Sequence, residues 1–79
     1  HMPSTEIQND IYVHVGQRIR VRRALMGMTR KQFASKIGRS TRQLRRYENG
    51  EGKAMSMDRL HVIATALEVP ADYFFMRLI

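Results

Sequence analysis

The chain has 79 residues, of which 43% are hydrophobic and 27% are charged, and it contains no cysteine. This length suits one small domain, and the hydrophobic fraction is too high for a disordered chain. The lack of cysteine excludes a disulfide framework, a thiolate metal site and a cysteine nucleophile. No apolar run reaches the roughly 18 residues that a membrane span needs, and no signal-peptide pattern is present, so we expect a cytoplasmic protein.

The net charge of +7 is concentrated in the first two thirds of the chain. No acidic residue lies between Asp10 and Glu48, whereas eleven of the fourteen lysines and arginines lie there. From Glu51 onwards, three basic and four acidic residues nearly balance. This asymmetry indicates one positive face directed at a polyanion, although a basic surface that serves only solubility is the simpler alternative.

The N-terminal residues carry no sustained periodicity. His1 and Met2 are typical of an expression-vector remnant, and we predict a loose arm over residues 3–11. We therefore expect residues 1–11 to be remnant and arm, and residues 12–79 to form the domain.

A first helix is predicted from Tyr12, and Gly27 marks its end. Its inward stripe combines apolar residues at near-helical spacing with one arginine: Val15, Ile19, Arg23 and Met26. The arginines at 18, 20 and 22 point away from this stripe.

Two short helices are predicted next. Thr29 is a good N-cap for the second helix, whose apolar face is Phe33, Ala34 and Ile37 and which ends at Gly38. Ser40 is the N-cap of the third helix, which places Leu44 and Tyr47 on one inward face and ends at Asn49-Gly50.

Ser56 opens a fourth helix with a clean apolar stripe at Leu60, Ile63, Ala64 and Leu67. Val69-Pro70 ends that helix, and Pro70 suits the first turn of a fifth helix that carries Tyr73, Phe74 and Leu78-Ile79. Since no segment alternates as a strand does, we predict an all-α fold, a compact bundle of four to five short helices.

The second and third helices are joined by a short turn that contains glycine. Helix, short turn and helix form the helix-turn-helix unit, whose second helix enters the DNA major groove. A short turn alone is a common feature, and the acid-free basic segment around it strengthens the interpretation.

The run MTRKQFASKIGRSTRQLRRYENG resembles the helix-turn-helix of the lambda repressor and Cro-like (Xre-type) DNA-binding domains, and the resemblance extends from about Val15 to Phe75. The matching residues are Thr29, Phe33, Ala34, Ile37, Gly38, Ser40, Leu44, Glu48, Asn49, Gly50 and those from Leu60 to Val69. The resemblance implies a regulator of transcription that binds double-stranded DNA. It further implies a repressor that acts as a homodimer on a palindromic operator, without cofactor or catalysis.

In the resembled family, side chains at the start of the third helix reach base edges. These positions are Thr41 and Arg42 here, and Arg45 and Arg46 follow one turn later. The planar fork of arginine matches guanine O6 and N7, so Arg42 and Arg46 are the first candidates for base readout. Gln43 could contact a base or a phosphate, or only cover the helix surface. Binding of phosphates alone is the alternative for all the arginines.

Phosphate contacts are expected from the start of the second helix, from the turn that follows it and from the loop after the third helix. The candidates are Arg30, Lys31, Arg39, Asn49 and Lys53. Arg30 stands where the family usually carries glutamine, and a guanidinium suits a phosphate well. Arg39 replaces a residue that is often apolar or small. For Lys36 and Arg59 we expect simple solvation.

Glu48 is the one acidic residue near the arginines of the third helix. The resemblance implies that it pairs internally with an arginine of the first helix, which is Arg23 by alignment. Breaking such a buried pair leaves an uncompensated charge.

Several other functions receive little support. An antitoxin or adaptor module with secondary DNA binding is the main alternative. A membrane-surface helix conflicts with the short capped helices. RNA binding is not favoured, because the sequence has no RNA-binding motif. His14 and His61 are isolated, so we expect neither a metal nor an enzyme, and no small-molecule ligand is evident. Met26, Met28, Met55, Met57 and Met76 suit either core filling or a partner surface, and we favour the core. Part of Phe74–Ile79 is a candidate dimer contact or junction to another domain.

Overall fold

The computed structural model describes the backbone of residues 4–51 and 55–76, and the side chains of residues 11–51 and 55–76. Within these ranges the chain forms four α-helices and one 3-10 helix: α1 Ser4–Leu25, α2 Arg30–Lys36, α3 Thr41–Glu48, α4 Met57–Ala66 and η1 Ala71–Phe75. The described residues contain no strand, and the predicted all-α helix-turn-helix fold is confirmed.

Helix α1 begins at Ser4, eight residues before the predicted start at Tyr12, and is 22 residues long. The expectation of a loose arm over residues 3–11 is therefore wrong from Ser4 onwards, and α1 is not a short helix. No proline or glycine lies between Ser4 and Gly16, so nothing in the local sequence stops the helix from extending towards the N terminus. His1, Met2 and Pro3 lie outside the described residues.

The three predicted N-caps are confirmed. Thr29 Oγ1 accepts a hydrogen bond from the Gln32 amide at 3.1 Å, and the Gln32 side chain accepts one from the Thr29 amide at 2.9 Å. Ser40 and Ser56 cap α3 and α4 through their hydroxyl oxygens. Each cap satisfies a backbone donor that the first helical turn leaves without a partner, which fixes where the helix begins.

The C-terminal segment differs from the predicted fifth helix. Ala71–Phe75 forms a single 3-10 stretch, and Pro70 precedes it with extended geometry (ψ 155°) instead of lying in its first turn. Leu78 and Ile79 lie outside the described residues. The stretch nevertheless buries Phe74 completely, so it closes the core as a packed segment and does not continue as a regular helix.

One hydrophobic core joins all five elements. It is formed by the predicted apolar stripes together with Phe74, and its members are Val15, Ile19, Phe33, Ala34, Ile37, Leu44, Tyr47, Leu60, Ile63, Ala64, Leu67 and Phe74. Met26, Met28 and Met55 pack against this core. Met57 and Met76 are 72% and 49% exposed, so the prediction of core methionines is wrong for these two.

Gly16 lies where α1 crosses the C-terminal end of α3. A Cβ atom at this position would lie 2.4 Å from the Tyr47 carbonyl oxygen and 2.6 Å from the Glu48 carbonyl oxygen. Both atoms belong to backbone, which cannot move aside as a flexible side chain could. Glycine therefore allows α1 and α3 to approach closely, and this approach sets the position of α3 on the domain.

None of the helices that the structure describes is both long and apolar enough to cross a bilayer.

Candidate nucleic-acid interface

Helix α3 separates its side chains into an inner and an outer face. Leu44 and Tyr47 are buried, with 0% and 5% exposure, as predicted from their spacing. The outer face consists of the exposed Arg42, Arg45 and Arg46 with the half-buried Thr41 and Gln43. All five residues that the sequence nominates for base contacts are thus at least partly accessible. Their contact with bases stays a prediction.

The glutamate that ends α3 lies inside the protein. The side chain of Glu48 has no exposed surface, and its Oε2 accepts a hydrogen bond from Arg23 Nε at 2.6 Å. Arg23 Nη2 donates to Oε1 at 3.2 Å, and Arg23 Nη1 donates to the Met28 carbonyl oxygen at 2.7 Å. The ion pair that the resemblance implies is therefore present, and it ties α3 to α1 and to the turn before α2.

A second arginine shares the same carboxylate. Arg30 Nε donates to Glu48 Oε1 at 2.8 Å, and the Arg30 side chain is 35% exposed. The sequence assigns Arg30 to a phosphate, whereas the structure uses its Nε within the protein. No spacing rule links residues 18 apart on different helices, so this pair could not be predicted from the sequence. One carboxylate is consequently held by two guanidinium groups.

The other phosphate candidates differ in what the structure describes of them. Lys31, Arg39 and Asn49 are exposed. Asn49 is the C-cap of α3, and its backbone amide donates to the Arg45 carbonyl oxygen at 3.0 Å. Lys53 lies outside the described residues. Phosphate binding by these side chains also stays a prediction.

Three further arginines bind backbone carbonyl groups of residues distant in the chain, which the sequence does not suggest. Arg18 Nε donates to the Tyr73 carbonyl oxygen at 3.2 Å, and its guanidinium lies 4.0 Å from the centre of the Tyr73 ring. Arg22 Nε donates to the Leu67 carbonyl oxygen at 3.0 Å, at the end of α4. These contacts anchor the C-terminal segment to α1, so two of the arginines that lie off the apolar stripe are bound within the protein.

Arg59 completes this group of carbonyl-binding arginines. Its Nη1 donates to the Ile37 carbonyl oxygen at 2.8 Å, at the end of α2. The prediction of a solvated Arg59 is therefore wrong. Carbonyl groups in the last turn of a helix lack intrahelical partners, and a cationic donor satisfies them favourably. Arginine on α4 thus fixes the helix that precedes the turn of the helix-turn-helix.

The described residues include no group of three or more histidine, cysteine, aspartate or glutamate side chains that could hold a metal ion. His14 Nε2 forms a hydrogen bond with the Met76 carbonyl oxygen.

A family model described as helix-turn-helix matches residues 19–74, which is well over half of the chain. A protein of Rhodospirillum rubrum named as an uncharacterized transcriptional regulator in the ATPase CF(0) region is 42% identical over 79 residues. That match covers 98% of this chain and 72% of the relative. An uncharacterized HTH-type transcriptional regulator of Sinorhizobium medicae (strain WSM419) is 37% identical over 67 residues, covering 85% of this chain and 48% of the relative.

Among solved structures, the crystal structure of FeII HppE in complex with substrate is similar in fold. It matches with a TM-score of 0.76 at 24% identity, covering 80% of this chain and 36% of that one. At this identity the likeness shows the fold alone. From the family match, the relatives and the arrangement of α2 and α3, the chain belongs to the helix-turn-helix family of lambda repressor-like (Xre-type) DNA-binding transcriptional regulators.

Proposed function

We propose that this regulator binds double-stranded DNA sequence-specifically through α3 and represses transcription by occupying a palindromic operator as a homodimer. One observation carries the proposal. Helix α3 exposes Arg42, Arg45 and Arg46, while the only carboxylate of that helix is buried beneath Arg23 and Arg30. The outer face of α3 is therefore cationic and has no acidic group that would repel DNA.

Base readout is assigned to the N-terminal half and the middle of this outer face. Arg42 and Arg46 lie four residues apart, so they share one side of the helix, and both are exposed. Each could present its fork to a guanine in the major groove. Thr41 and Gln43 flank Arg42 at the start of α3 and complete the reading surface, together with Arg45.

Phosphate contacts are assigned to side chains that precede and follow α3 in the chain. Lys31 and Arg39 lie before α3, and Asn49 and Lys53 follow it. Arg30 keeps its terminal nitrogens for a phosphate because only its Nε is held by Glu48. Such contacts fix the register of the protein on DNA without reading sequence.

The test begins with selection of a binding site from random duplexes. Arg42→Ala and Arg46→Ala are then measured on the selected site and on a scrambled one. We expect each to lose about 1–3 kcal/mol of discrimination between the two, because a guanine contact is removed. Lys31→Ala is the matched control and should weaken binding equally on both duplexes. Equal losses on both duplexes for the two arginine variants would show that they bind phosphates only.

The homodimer is supported by an apolar surface formed by α1, α4 and η1. Ile11, Met57 and Phe75 line a shallow apolar pocket there and are 47%, 72% and 54% exposed. Of the residues predicted as a dimer contact, Phe74 is fully buried and cannot serve, whereas Phe75 and Met76 are accessible. Sedimentation analysis should show a dimer on DNA that Phe75→Glu converts to a monomer. A selected site without two-fold symmetry would argue against the dimer.

A further inference from the structure

A polar pocket opens where α1 passes the ends of α2 and α3. It has a volume of about 260 Å³ and is lined by Val13, Gln17, Arg20, Arg30, Glu48 and Asn49. Gln17 and Arg20 belong to α1, and neither was nominated by the sequence as a binding residue. The close crossing at Gly16 brings this part of α1 beside Glu48 and Asn49.

The charge around this pocket favours an anion in spite of the carboxylate in its wall. Glu48 contributes one negative charge, and both of its oxygens already accept hydrogen bonds from Arg23 and Arg30. Arg20 adds a third guanidinium. The C-terminal end of α3 contributes about half a negative charge. Three positive charges against about one and a half negative ones leave a clear positive excess.

The pocket also offers hydrogen-bond donors that have no partner among the described residues. Within the part of the chain that the structure describes, the side chains of Gln17, Arg20 and Asn49 form no hydrogen bond or ion pair with other residues. Arg20 and the terminal nitrogens of Arg30 are charged donors, and the two amides are neutral ones. Donors that converge from α1, from α2 and from the residue after α3 suit an oxyanion with several acceptor atoms.

We propose that this pocket holds one backbone phosphate of the bound duplex, and that Arg20 is a phosphate contact supplied by α1. The proposal rests on the proposed function, because the ligand is the DNA that α3 reads. Asn49 follows α3 directly, so a strand that passes the C-terminal end of α3 meets this pocket next. Arg30 connects this pocket to α3, because it lines the pocket while its Nε donates to Glu48 of α3.

The first experiment measures the salt dependence of affinity for the selected duplex. Arg20→Gln should lower the slope of log K against log salt concentration by about 0.9, and should weaken binding several-fold on selected and scrambled duplexes alike. Lys36→Gln removes the same charge from an exposed side chain at the opposite end of α2, and should leave the slope nearly unchanged. Arg20→Lys should keep most of the slope because it keeps the charge. Unchanged thermal unfolding of Arg20→Gln would confirm that folding is not the cause.

The second experiment locates the phosphate. Neutral methylphosphonate groups are placed one at a time along the selected duplex. At one position per half-site, the substitution should remove the difference between wild type and Arg20→Gln. Free phosphate is distinguished by titration of the DNA-free protein with inorganic phosphate at constant ionic strength. Saturable binding below millimolar concentration that Arg20→Gln abolishes would assign the pocket to a free anion and overturn the proposal.

The outcomes separate this proposal from the proposed function. If wild type selects a duplex and the Arg20→Gln and Lys36→Gln slopes are equal, the phosphate site is wrong and DNA recognition by α3 stands. If wild type shows no salt-dependent binding to any duplex, the proposed function fails and the phosphate site fails with it.

Discussion

Both faces of α3 carry charged residues, but the surroundings of those residues are very different. The inner face ends in Glu48, whose carboxylate is held by Arg23 and Arg30 with no exposed surface. The outer face presents Arg42 and Arg46 to solvent. On the inner face, the carboxylate is paired with two arginines of the same protein. On the outer face, the positive charge of the arginines is free to pair with an anionic partner.

This difference shows that the function of an arginine in this domain depends on its nearest acceptor. Arg18, Arg22 and Arg59 each bind a backbone carbonyl near the end of a helix or within η1. These side chains stabilise the scaffold, and the sequence alone does not distinguish them from exposed ones. The number of basic residues therefore overstates the number of side chains that are free to contact DNA. Changes on the inner face should alter stability, and changes on the outer face should alter binding.

The largest expected effect comes from Glu48→Ala on the inner face. The change leaves Arg23 buried with an uncompensated charge, which costs about 3–5 kcal/mol of unfolding free energy. For a domain of this size, each kcal/mol lowers the Tm by about 4–8 °C. Thermal unfolding followed by circular dichroism measures the shift. Glu51→Ala removes the same charge from an exposed residue three positions later and should change the Tm little. Similar, small shifts for both variants would contradict the structural role of the ion pair.

Gly16→Ala should have the next largest effect, again through the inner face. The added methyl group would meet two backbone carbonyl oxygens at 2.4 and 2.6 Å, so α1 and α3 must separate. Such overpacking costs about 1–3 kcal/mol, which exceeds the roughly 0.8–1.0 kcal/mol that alanine gains over glycine inside a helix. Chemical denaturation should show a net loss of stability. Gln17→Ala, at the neighbouring exposed position, should stay within about 0.5 kcal/mol of wild type.

Gly16 also marks the limit of what the sequence could predict. Helices α2, α3 and α4 follow from local signals, namely a Thr or Ser cap, an apolar stripe and a terminating residue, and the structure confirms their positions. An isolated glycine within a helical pattern is a signal for close packing. It does not reveal which backbone approaches, because that depends on tertiary structure.

The candidate site likewise combines features that the sequence predicts with contacts that it does not. The outward arginines of α3 and the Arg23–Glu48 pair could be predicted, the former from spacing and the latter from the family resemblance. The Arg30–Glu48 bond and the carbonyl contacts of Arg18 could not, because each joins residues that are distant in the chain and follows no periodicity. The prediction of a loose arm overlooks Ile7 and Ile11, which lie four residues apart and continue the helical spacing of Val15 and Ile19 towards the N terminus.

The smallest expected effect comes from removing the N-caps of α3 and α4. Comparing the two variants tests whether a loss of stability at α3 can be separated from a loss of binding. Ser40 and Ser56 are equivalent caps. The Ser40 hydroxyl oxygen accepts a hydrogen bond from the backbone amide of Gln43 in α3, and the Ser56 hydroxyl oxygen accepts one from the backbone amide of Arg59 in α4, both at 3.1 Å. Ser40→Ala and Ser56→Ala should each cost about 1 kcal/mol and lower the Tm by a similar amount.

DNA affinity is then measured well below both unfolding transitions, where both variants are folded. Ser40→Ala should bind the selected duplex more weakly, because the first turn of α3 holds the side chains assigned to base readout and loses its cap. Ser56→Ala should bind as wild type does, since α4 is not assigned a contact with the duplex. Equal affinity losses for the two caps would mean that global stability controls binding. The outer face of α3 would then lack the independent role that its exposure indicates.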